Sequence, residues 1–365
     1  MEKFKKHYYD KMTPVERLTA INAGQEFDRL PAVLFIPDLK AKLINCSIRD
    51  LYFDKEKIIQ AEQAAYDRFG SDAIFLGPNS KGIATAFGTK IDYPLDSLPQ
   101  ITHYPLSSYD DLEQVDAAKV LSCERILFFK EALKDIGARA SGVVPFYSYL
   151  GGTVTVASYL RGIEVLLKDM RKNKEQVHEL LQRVLKSQKL IVDSYCEIPG
   201  IRFAIADPVA SGSLMSPRLF KEFAMPCLIE LCHYIKQKSG HGPLLHMCGK
   251  MEKVWSEIKE LPLDTFSIDN ASSMEEAVDC FGEKFSITGN VPPVDVMYEG
   301  TAEMIDQSVK QCVDASKSNP RKLRLAFGCD MPYLAPVENI DHFMRAVRKH
   351  ASMESIIKAT KRVDF

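Results

Sequence analysis

His246 and Cys248 stand two residues apart in Pro-Leu-Leu-His-Met-Cys-Gly, and Cys329 follows a second apolar run in Leu-Arg-Leu-Ala-Phe-Gly-Cys-Asp. In an extended strand residues i and i+2 point to one side, so the imidazole and the thiolate face a common space that a third ligand can complete. Two sulfurs and one nitrogen with no obvious fourth ligand are the donor set of a catalytic zinc, because structural zinc is normally closed by four protein ligands. A chain with eight His and nine Cys produces a chance His-x-Cys often enough that the pair alone carries little. Position adds the weight: both halves of the triplet lie at the C-terminal ends of strand-like runs, where barrel enzymes set their chemistry.

Other polar residues fall at comparable places. Asp269 ends Phe-Ser-Ile-Asp, Asp207 ends Ala-Ile-Ala-Asp, and Asn290 follows Phe-Ser-Ile-Thr-Gly. A carboxylate at such a position acts as ligand, base or hydrogen-bond acceptor, or else fastens a loop by accepting backbone N–H groups. Asp269 is the candidate for a labile fourth metal ligand or a partner behind the ligands. Asp207 and Asn290 are candidates for contact with substrate or cofactor. Ser211 and Ser213 are expected to shape their loop and cap the next helix. Arg161, Lys250 and Arg218 stand near expected loops, where a solvated surface role outweighs anion binding.

The elements that must hold these residues alternate between short β-rich runs and long amphipathic ones, the pattern of a parallel sheet with crossover helices. Strands are expected near Ala32–Ile36, Ala73–Gly77, Gly142–Tyr147, Arg202–Ala206, Pro243–Cys248, Thr265–Asp269, Phe285–Gly289 and Leu323–Gly328. Ser216-Pro217 opens a helix over Arg218–Lys238, Asn173 precedes one over Lys174–Tyr195, and Ser272-Ser273 with Glu275-Glu276 makes a capping box before Ala277. Eight strands with helices between them predict an α/β fold, a (β/α)8 TIM barrel, as one domain over residues 1–365. A typical barrel uses about 250 residues. The surplus goes to an N-terminal helical extension over 1–30, a long loop from Pro78 to Pro105, and a helical insertion, Thr153–Glu197, between strands three and four.

Composition narrows the setting. With 46% hydrophobic residues the chain can bury a large core, and its net charge of −2 gives no reason to expect nucleic acid or an anionic membrane as partner. No apolar run reaches membrane-spanning length and the basic N-terminus lacks a following apolar segment, so the chain reads as cytoplasmic. Nine thinly spread cysteines are not a disulfide framework. Cys196, Cys227, Cys232, Cys280 and Cys312 lie in helix-like stretches and read as packing residues.

Larger blocks of sequence resemble the uroporphyrinogen decarboxylase superfamily: Glu16-Arg-Leu-Thr-Ala-Ile-Asn-Ala-Gly24 with Asp28-Arg29-Leu30-Pro31, Asp207-Pro-Val-Ala-Ser-Gly-Ser-Leu-Met-Ser-Pro217, Ile287-Thr-Gly-Asn-Val-Pro-Pro293, and Phe327-Gly-Cys-Asp-Met-Pro332 with Pro336-Val-Glu-Asn339. The resemblance runs over nearly the whole chain. Within it, His246-x-Cys248 with Cys329 is similar to the zinc motif of the methylcobalamin:coenzyme M methyltransferases and their bacterial relatives. The chain departs from the decarboxylase itself. It lacks the Arg-Gln-Ala-Gly-Arg-Tyr motif, the aspartate after the second strand is replaced around Leu76-Gly-Pro-Asn79, and Cys329 stands where the decarboxylase has the histidine of Gly-His-Gly.

The resemblance implies transfer of a methyl group between a methyl-corrinoid, carried by a corrinoid-binding partner protein, and a small thiol such as coenzyme M. His246, Cys248 and Cys329 would be permanent zinc ligands, with Asp269 exchanging against the incoming sulfur and Asp207 and Asn290 available to the corrin. Two thiolates and a neutral imidazole leave the zinc centre formally uncharged, so a substrate thiolate makes it an anion. The direction of transfer stays open, and the resemblance makes a homodimer plausible. Two other functions compete: a metal-free tetrapyrrole decarboxylase, and a non-enzymatic corrinoid-binding or metal-storage scaffold.

Overall fold

The computed structural model describes residues 3–316, 318–319 and 322–360. Its Cα packing forms two compact units, one of Met1–Phe75, Ala138–Phe146 and Thr265–Phe365, the other of Leu76–Gly137 and Tyr147–Asp264. The strands, in chain order, are β1 (Ile74–Pro78), β2 (Lys90–Asp92), β3 (Gln100–His103), β4 (Phe146–Gly151), β5 (Arg202–Ala206), β6 (Leu244–Met247), β7 (Thr265–Ile268), β8 (Ser286–Val291) and β9 (Leu323–Phe327). β4, β5 and β6 are neighbours in that order in one unit and β7, β8 and β9 in the other, and β2 pairs with β3 separately. Neighbours that follow one another along the chain and run parallel require a helix between them, and the alternation of elements supplies it.

In the unit built from Leu76–Gly137 and Tyr147–Asp264, β4 and β5 register from Tyr147 opposite Arg202 to Gly151 opposite Ala206, and β5 and β6 from Ala204 opposite Leu244 to Ala206 opposite His246. Phe203, Ala204, Ile205, Leu244, Leu245 and Met247 are all buried, the near-continuous apolar reading of strands covered on both faces. Between β4 and β5 lie three helices, Thr153–Arg161, Ile163–Lys172 and Lys174–Tyr195, as the expected insertion requires. Gln188 ties the third to the strand end: its amide N–H donates to the Gly151 carbonyl at 2.5 Å while its oxygen accepts from the Thr153 hydroxyl at 2.7 Å. The expected long loop from Pro78 to Pro105 contains a helix, Asn79–Thr85, and the antiparallel β2–β3 hairpin. Both hairpin strands are largely exposed and polar, so they lack the apolar alternation that marks a strand.

The helix expected over Arg218–Lys238 starts at Pro217, with the Ser216 hydroxyl accepting the Leu219 N–H. It widens to a π turn at Phe220–Ala224 and continues as Met225–Ser239. Pro226, which has no N–H for the preceding turn, sits just past the widening. Arg161 departs from its expected solvated role. Its Nε donates to Asp169 at 3.0 Å and its Nη1 to the carbonyls of Leu106 and Ser107, so it fastens the segment after β3. Lys250 and Arg218 are exposed, as a solvated role requires.

In the other unit β7, β8 and β9 pair in parallel, from Thr265 opposite Ser286 and from Ile287 opposite Leu323. The strand expected at Ala32–Ile36 is reduced to a single bridge, Ala32 to Leu325, flanked by bonds from the Val33 N–H to the Leu325 carbonyl and from the Leu325 N–H to the Pro31 carbonyl, each 2.8 Å. Pro31 and Pro37 bracket the run, and neither can donate to a ladder. The strand expected from Gly142 begins instead at Phe146. Val143 and Val144 both donate back to Ala140, which makes the Gly142 region a turn, and Pro145 follows it.

A cluster of buried charge pins the N-terminal segment of this unit. Arg17 is fully buried, and its guanidinium donates to Asp28, Asp72 and the Met12 carbonyl. Arg29 donates to Asp10 at 2.6 Å and to Asp72 at 2.6 Å, and Arg348 reaches Asp10 at 3.0 Å. Three guanidinium groups thus face three carboxylates, which leaves no uncompensated charge in the interior.

Removing Arg17 strips Asp28 of its guanidinium partner and leaves Asp72 with Arg29 alone, so Arg17→Met is expected to destabilise the protein by about 3–5 kcal/mol, read from urea unfolding. The pH dependence has a definite sign. Burial acts to raise the Asp10 carboxyl, but the hydrogen bonds and charge of Arg29, with Arg348 and Arg17 behind, hold it well below the usual carboxylate range, and Asp28 is lowered by Arg17 against the same burial. Carboxylates depressed in the folded state stabilise it above the unfolded-state value of about 3.9 and lose that contribution as pH falls below it. The melting temperature should therefore drop between pH 5 and pH 3, and Arg17→Met should flatten that slope.

Candidate metal centre

His246 is the last but one residue of β6 and is buried, while Cys248 lies one residue past the strand and is half-buried. The alternation of the strand brings Cys248 Sγ to 3.4 Å from His246 Nε2. Two ligands at tetrahedral angles on zinc, at the usual Zn–S and Zn–N lengths, stand about 3.6 Å apart. The spacing of the pair matches that requirement.

The turns that leave β5 and β6 interlock. The Gly212 N–H meets Met251 Sδ at 3.0 Å, and a Cβ on Gly212 would fall 1.9 Å from the Lys250 carbonyl oxygen. Gly249 adopts φ +72°, and a Cβ there would lie 2.4 Å from Ser213 Oγ. Each glycine is required by the other loop as much as by its own turn. Ser213 thus shapes the loop, and the capping expected of it belongs to Ser216.

Asp207 follows β5, is 1% exposed, and its own N–H donates to the His246 carbonyl at 3.2 Å. Its carboxylate accepts from the Thr155 N–H at 2.8 Å, the Thr155 hydroxyl at 2.6 Å and the Val154 N–H at 3.3 Å. It is therefore the anion at the N-terminus of helix Thr153–Arg161, where free N–H groups and the helix dipole favour one. Gly152 makes room for it, since a Cβ there would stand 2.2 Å from Asp207 Cβ. Burial pushes the Asp207 carboxyl up to about 6 although the Thr155 and Val154 bonds pull the other way. The same helix carries Tyr159, whose phenol is raised first by burial and then by the charges of Asp207, Tyr104 and Cys248. Tyr159 was not legible in the sequence, where it reads as one more residue of an apolar helix.

In the unit that holds β7, β8 and β9, Asp269 directly follows β7 and is half-buried; its Oδ1 accepts the Ala271 N–H at 2.8 Å. Asn290 lies within β8, not after it, and its amide nitrogen donates to the carbonyls of Asp269 at 3.1 Å and Ser272 at 2.8 Å. Cys329 comes two residues after β9 and is half-buried. Gly328 before it donates to the Val291 carbonyl at 2.9 Å, and a Cβ at that position would lie 2.4 Å from the Asn270 backbone nitrogen. His246 and Cys248 thus form a pair of donors able to share a metal ion in their own unit, and Cys329 stands past a strand end of the other.

Parallel strands, crossover helices and His and Cys donors at strand ends define a TIM-barrel protein with a candidate metal centre. The chain belongs to the uroporphyrinogen decarboxylase family, which it matches over residues 13–350. Its relatives include a methylated-thiol–coenzyme M methyltransferase of Methanosarcina mazei, 24% identical over 93% of this chain and 90% of that one. A methylcobamide:CoM methyltransferase of Methanosarcina acetivorans is 22% identical over 93% of this chain and 98% of its own. A uroporphyrinogen decarboxylase of Campylobacter hominis, 26% identical, aligns with only 56% of this chain. Among solved structures, a methyltransferase from Methanosarcina mazei shares the fold with a TM-score of 0.81 at 24% identity, over 93% of this chain and 99% of that one.

The interlocked turns yield a test that leaves every candidate ligand in place. Gly212→Ala forces a methyl group against the Lys250 carbonyl, and a cost of about 1–3 kcal/mol is expected. A lowered melting temperature with faster proteolytic cleavage between Asp207 and Pro217 would show that the turns move apart; wild-type behaviour in both would mean the contact yields without strain.

Proposed function

We propose that the protein is a zinc-dependent methyltransferase that moves a methyl group between a methyl-corrinoid held by a partner protein and a small thiol such as coenzyme M. The observation that carries this reading is the pairing of Cys248 Sγ with His246 Nε2 at 3.4 Å at the end of β6. Support for methyl transfer comes from the named activities of relatives that align with nine-tenths of the chain, against decarboxylase matches that cover 56% to 81% of it. No helix among the described residues is long and apolar enough to cross a membrane.

The donor set fits the ion. Two cysteines, which bind as thiolates, and one neutral histidine balance its charge and leave a fourth position for a substrate sulfur. A bound zinc favours the thiolate at neutral pH, whereas a free thiol near its usual pKa of about 8.5 is mostly protonated. The chain's own residues do the positioning. The β6 alternation fixes His246 against Cys248, and Asp207 couples the His246 carbonyl to the start of helix Thr153–Arg161. Asp207 enters this reading as a positioning residue through that helix, which presents Tyr159. Asp269 is the proposed group that exchanges with the incoming sulfur. Asn290 holds the turn after β7 in which Asp269 sits.

Purified protein should carry about one zinc per chain, and Cys248→Ala or Cys329→Ala should lose it while staying folded, because a chain of this size has its own core. Full metal occupancy in both variants would remove the proposed ligand set. Adding the substrate thiol should release close to one proton per site near neutral pH and shift the absorption of the cobalt-substituted protein toward a sulfur-rich ligand field. A thiol that binds with its proton retained and the metal spectrum unchanged would end the methyl-transfer reading. Carbon dioxide release from uroporphyrinogen without metal would favour a decarboxylase, and tight corrinoid binding without transfer to any thiol a storage scaffold. Asp269→Ala should keep zinc but alter thiol affinity or turnover; if neither changes, its role ends with the Ala271 N–H.

A further inference from the structure

A cavity of about 450 Å³ opens beside the ends of β7 and β8, closed on one side by helix Ala302–Ala315. Its size is that of a small-molecule site. Met274, Pro292, Val296 and Met304 give it apolar walls, and every polar residue of its lining is uncharged. Gln307 and Gln311 stand one helical turn apart at the exposed rim, with Ser308 buried between them. Asn270 joins them from the segment after β7. Deeper in, Ser272 is 5% exposed, and its hydroxyl has no hydrogen-bond partner. A buried hydroxyl without a partner costs about 1–3 kcal/mol relative to one that is satisfied, so the site gains by receiving a group that can both donate and accept. The Cys312 thiol on the wall is pushed up to about 11 by burial and stays neutral.

These features favour an uncharged ligand, since no charged side chain in the lining would pair with an ion. They fit a primary carboxamide, whose oxygen accepts from a hydroxyl or amide while its NH₂ donates to an amide oxygen. We propose that the cavity receives an uncharged carboxamide arm of the corrinoid, whose ring carries such amides around its edge. This inference rests on the methyl-transfer reading above and adds to it a recognition site. Asn270 borders the cavity and packs against Gly328, the residue before Cys329, so an arm seated here is held in the same unit as one of the proposed metal ligands.

The test compares Gln307→Leu, Gln311→Leu and the double variant with wild type. Both side chains are exposed on a helix, so folding should survive, and a melting curve checks it. Binding of methylcobalamin and of methylcobalamin whose peripheral amides have been hydrolysed to carboxylates is followed by corrinoid absorbance; zinc content and methyl transfer to the thiol are measured in parallel. Wild type should bind the amide form at least about tenfold more tightly than the acid, and each glutamine variant should lose about tenfold for the amide form with zinc content unchanged. Equal affinities across the variants, with methyl transfer intact, would overturn the cavity assignment and leave the methyltransferase reading standing. A wild-type protein that neither binds methylcobalamin nor demethylates it would overturn both.

Discussion

The Asp72 carboxylate is the fixed point of the unit that carries Cys329. It is wholly buried, and it receives the guanidinium groups of Arg17 and Arg29 together with the Ala32 N–H at 2.7 Å. Ala32 in turn bridges to Leu325 in the middle of β9. One side chain thus sets where the segment after Pro31 lies against the strand whose end bears the candidate ligand. Burying the charges of Asp10, Arg17, Arg29 and Asp72 is expensive, and apolar residues of like volume would often give a more stable core. What the ionic cluster provides here is mutual satisfaction: its guanidinium groups donate to its carboxylates across residues from Asp10 to Arg348.

The same cluster explains part of what the sequence did and did not disclose. Glu16-Arg17-Leu18 and Asp28-Arg29-Leu30 were legible as blocks that resemble a family, yet their role was not, because their partners Asp10, Asp72 and Arg348 are scattered along the chain. The runs of β5, β6, β7 and β9 were readable because each is short, mostly apolar and bounded by turn residues. The run at Ala32–Ile36 looked the same but has prolines on both sides, and it keeps only one bridge. Gly-Val-Val-Pro-Phe-Tyr at 142–147 holds enough β-branched residues to suggest a strand, but its first half turns back on Ala140.

The candidate site divides along the same line. His246, Cys248 and Cys329 could be named because metal ligands belong to few residue types and strand alternation fixes their relative direction. Asp207 could be named as a polar residue at a strand end, but not as the anion beneath helix Thr153–Arg161, since its partners lie about fifty residues upstream. Tyr159 and Gln311 carried no signal in sequence, and Ser272 was read only as part of a helix cap. Their standing comes from what surrounds them: a thiol, an unfilled hydroxyl, a cavity wall.

The glycine contacts between the turns after β5 and β6 bear on how this fold diverges. With Gly212 against the Lys250 carbonyl and Gly249 against Ser213, neither turn can lengthen or gain a side chain unless the other changes as well. Drift there demands paired substitutions, whereas the helix bearing Gln307 and Gln311 presents exposed side chains that can be exchanged one at a time. That helix face can therefore change by single substitutions, where the turn that follows His246 cannot.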